Sequence, residues 1–431
     1  MAVPLLMCWQ GQLKAGDDVL HRLEWLSAAV LILLLSGLPL LTRTGLALVI
    51  AAAGLLWLLW SLVTPAERIG PISGWLLLFL GIAALATGFS PVPVAAAKGL
   101  VKLISYLGVY ALIRKVLQCD PRWWNRLVAA LLGGGLLSSV LALRQLYATT
   151  EELARWADPN SITEGTIRIY GPLGNPNLLA GYLLAMLPLA AVAVLQWRGI
   201  GSRLFAGVTL LLGGLATVLT YSRGGWLGLL SCVSVLVVLL LIRATRQWPP
   251  MWRRLAPLLM LILGAAVLAI AATKLEPIRT RLVSLMAGRG DSSNNFRINV
   301  WLASLDMVQD RPWLGIGPGN NAFNRIYPLY QQPKFNALSA YSVPLEILVE
   351  TGVAGLLASV GLLLSSFRSG LRGLSLDEPA AGACLASLAA IAGLLGQGVA
   401  DTIFFRPEVQ LIGWFCLATL AAQPLPSKET S

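Results

Sequence analysis

The chain has 431 residues, 57% of them hydrophobic and only 12% charged, where a soluble protein carries roughly a quarter charged residues. That balance excludes a soluble globular domain. The net charge of +12 reads as the Lys and Arg that collect in cytoplasmic loops of membrane proteins, in preference to a nucleic-acid partner. Cys8, Cys119, Cys232, Cys384 and Cys416 are scattered without a CxxC pair, and His21 is the single histidine. No disulfide framework, metal site or cofactor is therefore expected.

In chain order, the apolar stretches predict about twelve spans, each of about 20 residues. They fall at roughly 25–42, 45–63, 72–89, 94–113, 127–147, 172–195, 203–221, 224–242, 255–273, 343–366, 380–400 and 408–423. The N-terminus lacks a compact, cleavable signal peptide, so residues 1–24 precede a retained first span. The fold class is then an all-α polytopic membrane protein. Spans 1–9 fill 25–273, a large helical loop fills 274–342, spans 10–12 fill 343–423, and 424–431 is a tail. With the N-terminus inside, the inner segments collect Arg22, Arg68, Arg114, Lys115, Arg122 and Arg126 and further bases, while the short outer loops hold only Arg43, Arg223 and Arg406. The asymmetry predicts cytoplasmic termini and a periplasmic 274–342 loop in a bacterial inner membrane. The 148–171 loop, with Glu151, Glu152, Arg155, Asp158, Glu164 and Arg168, faces outward too.

The 274–342 loop is the longest stretch that cannot sit in hydrocarbon. Ile298, Trp301, Leu302, Leu305 and Val308 recur at helical spacing. Asn294 or Asn295 would cap this helix and Pro312 would stop it. The expectation is an amphipathic helix from about Asn295 to Asp310, with Trp301 and Leu305 toward the membrane domain, in a cap over a cavity.

Several polar clusters flank the outer ends of the spans. Tyr221-Ser222-Arg223-Gly224-Gly225-Trp226 puts an arginine beside a helix N-terminus, where an oxyanion is well held. The same arginine reads equally as an interfacial residue snorkelling to headgroups. Tyr170-Gly171-Pro172-Leu173-Gly174-Asn175-Pro176-Asn177 opens span 6, with Asn175 and Asn177 as helix caps or polar contacts. Arg297 opens the cap helix, and a basic interfacial helix often does no more than lie on headgroups. Glu346 and Glu350, four residues apart, share a helix face at the start of span 10, with Arg223, Arg297 or Arg325 as partners. Lys98 and Lys102 share a face of span 4, as buried counter-charges or as snorkelling residues.

In series, these motifs resemble the O-antigen ligase and polymerase superfamily of bacterial inner-membrane proteins. The resemblance rests on Gly171 to Asn177, Ser222 to Trp226, Arg297 to Trp301 with Arg311 to Gly319, and Leu345 to Gly352. It covers roughly residues 165–365 by motif. The run Leu338 to Glu346 is most similar to the cyanobacterial branch known as inorganic-carbon (bicarbonate) transporters.

The resemblance implies an outward site for an anionic substrate, either bicarbonate or a polyprenyl-diphosphate-linked glycan, with membrane lipid as the surrounding partner. Arg223 and Arg297 match the arginines that hold the diphosphate in the ligases. Arg168, Arg325, Asn175, Asn177 and Ser342 join them as binding candidates. The ligases carry Ala-His-Asn where this chain has Ala340-Tyr341-Ser342. The histidine that activates the acceptor is thus a tyrosine, whose pKa near 10 suits it poorly to act as a base. Tyr341 and Glu350 remain the catalytic candidates, with Glu346 beside them. A transporter should show interrupted helices at matching positions, and the sequence reveals no such pair.

Overall fold

The computed structural model describes residues 3–65, 68–147, 168–274, 279 and 288–423. The outer acids Glu151 to Glu164, most of 275–287 and the tail 424–431 lie outside the described residues. Among those described there are α-helices and short 3-10 turns and no strand. The helices are α1 (Val3–Gly37), α2 (Arg43–Val63), α3 (Pro71–Gly88), α4 (Pro93–Cys119) and α5 (Trp123–Arg144). Then come α6 (Pro176–Gln196), α7 (Ile200–Leu219), α8 (Arg223–Ala244), α9 (Pro250–Lys274), α10 (Ser292–Asp310) and α11 (Asn320–Ile326). The chain closes on α12 (Val343–Gly373), α13 (Ala380–Gly398) and α14 (Pro407–Ala422).

The protein is an all-α polytopic membrane protein. Each expected span coincides with a helix, but among the described residues nine are long and apolar enough to cross a membrane, where about twelve were expected. Of the remainder, α4 carries Lys98, Lys102, Arg114 and Lys115, and α14 has 16 residues. α6 and α13 form the centre, each with 83% of its apolar window buried. α13 is built of small residues, and at its crossing with α8 a Cβ on Gly228 would lie 2.7 Å from the Gly393 carbonyl oxygen. Two backbones approach this closely only where side chains are absent.

The cap is an ordered element with a small core of its own. Val300, Ala303 and Met307 of α10 meet Ile316, Phe323, Tyr327, Ala340, Val349 and Ala96 of α4. α10 starts earlier than expected, capped by Asp291 and not by Asn294 or Asn295: the Asp291 carboxylate accepts from the Asn294 amide at 3.1 Å. Its buried face also differs from the expected one. Asn299, Val300, Ala303, Ser304 and Met307 are buried, Trp301 is half-buried, and Leu302 and Leu305 stand exposed. Hydrophobic periodicity selects large side chains, whereas this helix packs its small ones against α12 to come close to it.

α12 is interrupted. Gly352 has φ 66° and ψ −168° inside it, a conformation that favours glycine. A broken helix inside a membrane domain must satisfy its freed backbone groups with protein. The loop after α10 does this. Ile316 and Gly317 donate to the Val349 and Glu350 carbonyls, both at 2.9 Å, and the Val353 amide donates to the Pro312 carbonyl at 2.8 Å. A side chain at Gly352 would collide with Trp313, whose carbonyl carbon lies 2.2 Å from the Cβ position. The Gly-rich run at 315–319 is therefore a backbone plug for the break in α12.

Candidate functional site

The site gathers where the cap meets the first turns of α8 and α12. The chain turns through Tyr221 at φ 48°, and the Ser222 hydroxyl caps α8 by accepting from the Gly225 amide at 3.1 Å. Arg223 follows as the first residue of α8 and points at the start of α10. Its guanidinium donates to both carboxylate oxygens of Asp291 at 2.8 and 2.9 Å and to the Asn294 side chain at 2.8 Å. The pair is buried, with 8% of the arginine side chain and none of the aspartate exposed. Arg223 thus neither snorkels nor faces open space under the cap; Nη2 is taken by the protein's own carboxylate and Nη1 by Asn294.

Arg297 lies one turn further along α10. One of its Nη atoms donates to the Ser293 hydroxyl at 3.2 Å, while its Nε is buried without a partner. Burial lowers the guanidinium's pKa from its usual value, and Asp401 is the strongest charge acting the other way. Burial likewise raises the Asp401 carboxyl above the ordinary carboxylate range, opposed first by Arg297 and also by Arg168. Tyr341, at φ 52°, stands edge-on to Phe296 with ring centres 5.4 Å apart. Burial and then the Asp401 charge raise its phenol, and Arg297 pulls the other way.

The remaining candidates divide. Arg168 donates to the Thr220 carbonyl at 3.0 Å and to the Asn177 side chain at 2.7 Å, which ties the segment before α6 to the turn before α8. Asn175 caps α6, accepting from the amides of Asn177 and Leu178. Ser342 is the residue before α12, and its carbonyl accepts from the Glu346 amide at 2.8 Å. Glu346 and Glu350 are buried on the first turns of α12. The Glu346 carboxylate accepts from the Ala340 amide, and Glu350 from that of Gly319. Lys102 is exposed, donates to the Phe405 carbonyl at 2.8 Å and also acts electrostatically on Glu350, so it is a counter-charge to that carboxylate. Arg325 stands exposed on α11.

Two members of the cluster were not singled out from the sequence. Asp291 is the N-cap whose charge Arg223 holds, and the pattern Asp291-Ser292-Ser293-Asn294 before a helix was the available signal. Asp401 is a lone acid between the last two helices, 4% exposed. Together, Arg168, Arg223 and Arg297 set three guanidinium groups against the carboxylates of Asp291 and Asp401. Such an arrangement suits an anion that brings its own negative charge. Among the described residues, no three His, Cys, Asp or Glu side chains converge as a metal-ligand set.

Residues 207–360 match the family model described as O-antigen ligase. The match runs from α7 into α12 and includes Arg223, Asp291, Arg297, Tyr341, Glu346 and Glu350. Arg168, Asn175, Asn177 and Asp401 lie outside it. A search of curated proteins finds no match to the chain.

Proposed function

We propose that the protein transfers a glycan from a polyprenyl-diphosphate carrier to an acceptor hydroxyl at the cap end of the membrane domain. The observation that carries this reading is Arg297, a buried guanidinium whose Nε has no partner, inside the region similar to O-antigen ligase. A buried donor without a partner is costly, and a diphosphate oxygen would satisfy it with a charge-assisted bond. Arg223 supports the same site indirectly, because its ion pair with Asp291 fixes the start of the helix that carries Arg297. The cap faces the periplasm on this reading and both termini are cytoplasmic. The opposite end of the bundle holds Arg114, Lys115, Arg122, Arg126, Arg198 and Arg243, as the positive-inside rule requires of a cytoplasmic face.

A specific feature favours a second reading, transport of inorganic carbon. The interruption of α12 at Gly352 is of the kind that transporters use to bind ions. Against it, carbonyls at the break already accept from the 312–317 loop, and the family match carries no reference to inorganic carbon.

The test sets both activities side by side with purified protein in liposomes. Labelled lipid-linked oligosaccharide reports release of polyprenyl diphosphate, and labelled bicarbonate reports uptake. Glycan transfer is expected, with Arg297→Ala slowing it about 100-fold. Arg297→Lys should recover little, because the planar fork is lost. Bicarbonate uptake without any glycan transfer overturns the reading.

A further inference from the structure

Transfer of a glycan to a hydroxyl releases a proton, and four groups around Arg297 are available to take it: Tyr341, Glu346, Glu350 and Asp401. Three of them are poorly disposed. The Tyr341 phenol is held above its usual pKa by burial and by the Asp401 charge, so it stays protonated near neutrality. Glu346 has the Glu350 carboxylate as the charge acting on it and, among the described residues, no guanidinium. Glu350 is met by the Lys102 ammonium, behind the loop that plugs α12.

Asp401 is placed differently. It belongs to the loop between α13 and α14, and this loop is pinned to the Tyr341 turn: the Thr402 and Ser339 hydroxyls are 2.6 Å apart. Asp401 also lies against the first turn of α8. Its Cβ is 3.8 Å from where a Cβ on Gly224 would be, an ordinary contact distance, so it packs on the turn that carries Arg223. One carboxylate oxygen accepts from the Thr402 amide at 2.8 Å, and the Ile403 amide adds a second bond. These bonds fix the carboxylate's direction. The charged and titratable groups that face it come from separate elements: Arg297 from α10, Arg168 from before α6, and Tyr341 from before α12. It is thus the one carboxylate of the three on which the guanidinium proposed to hold the diphosphate is the strongest opposing charge.

We propose that Asp401 is the proton acceptor of the transfer, standing in for the histidine that Tyr341 replaces; this rests on the glycan-transfer reading. The acceptor hydroxyl oxygen forms a bond to the anomeric carbon, and the bond from that carbon to the diphosphate oxygen breaks. The electron pair leaves with the polyprenyl diphosphate, whose charge Arg297 balances. The hydroxyl proton passes to the Asp401 carboxylate and from there to water. No further reactant is needed. Burial favours this role, because a carboxylate raised above its ordinary range is the stronger base.

The experiment measures transfer and donor affinity separately, in liposomes, for wild type, Asp401→Asn and Asp401→Glu. Donor affinity is read by displacement of a fluorescent polyprenyl diphosphate. Asp401→Asn is expected to slow turnover about 100-fold or more, with donor affinity within about threefold of wild type. The wild-type rate should fall at low pH as the carboxylate protonates. That acid limb should vanish in Asp401→Asn and shift in Asp401→Glu. Turnover in Asp401→Asn within threefold of wild type overturns the proposal. So does a loss that appears only as weaker donor binding with the acid limb intact, which would make Asp401 a positioning residue for Arg297. Should the asparagine variant fail to fold, an unshifted acid limb in Asp401→Glu overturns it equally. Absence of transfer in wild type is a separate outcome and removes the glycan-transfer reading itself.

Discussion

The two ends of this bundle hold their ion pairs differently. At the cap end, charges are buried: Arg223 against Asp291, Arg297 near Asp401, and Glu346 and Glu350 in the first turns of α12. At the other end the pairs are wet. Arg243 meets Glu378 at 2.9 Å with side chains 29% and 48% exposed, while the buried Lys115 at the same end donates to the Thr64 hydroxyl. An exposed pair contributes about 0–1 kcal/mol, whereas removing one partner of a buried pair costs about 3–5 kcal/mol. Burying so many ionisable groups is costly unless they work together, so the contrast marks the cap end as the candidate site.

The largest effect that would break this contrast is expected at Arg223. Arg223→Ala leaves Asp291 buried and uncompensated, a loss of about 3–5 kcal/mol. Thermal unfolding in detergent should show it. Arg223→Lys should fall close to alanine in glycan transfer, since a single ammonium nitrogen does not replace the two separated Nη atoms that reach Asp291 and Asn294. Asp291→Asn separates two roles of one residue: asparagine still caps α10, so any remaining loss reports the ion pair alone. Full stability in Arg223→Ala would mean that the buried pair carries no more than a wet one.

Much of the fold was legible in the sequence, and the limits have physical causes. The helices follow the apolar runs closely because each must satisfy its backbone internally in lipid. The break at Gly352 did not show, because one glycine in an apolar run looks like a tolerated helix residue until the loop that fills the gap is known. The face of α10 was misjudged because close packing uses Ala303 and Ser304, where periodicity weighs Leu302 and Leu305. In the site, Arg223 and Arg297 stood out as arginines beside spans. Their carboxylate partners did not, because which acid meets which arginine is fixed by contacts between elements distant in sequence, such as Asp401 with Arg297.

A middle-sized effect sharpens the view of the cap as part of the candidate site. Gly352→Ala places a side chain at φ 66° and 2.2 Å from the Trp313 carbonyl carbon. The backbone strain alone is about 1–3 kcal/mol, and the clash adds to it. The 312–317 loop must then release its bonds to Val349, Glu350 and Val353. Limited proteolysis should cut faster between Gly315 and Gly319 than in wild type. An unchanged cleavage rate would mean that the plug is not held by these bonds.

The smallest effect is expected at the wet end, and it serves as the control for the others. Glu378→Gln removes the charge that meets Arg243 while keeping nearly the same size and hydrogen-bonding reach. Arg243 retains its bond to the Leu374 carbonyl at 2.8 Å, and Gln196 keeps an oxygen partner at position 378. What disappears is the solvent-open ion pair, its charge and the one oxygen that faced Arg243, about 0–1 kcal/mol and smaller still in high salt. Unfolding in detergent should move by no more than that, and by less as ionic strength rises. Glycan transfer should match wild type, because among the described residues the bonds of Arg243 and Glu378 go to Leu374, Leu376 and Gln196 and not to Arg297 or Asp401. A loss comparable with Arg223→Ala would show that the wet end also holds the fold together, and exposure would then no longer tell the two ends apart.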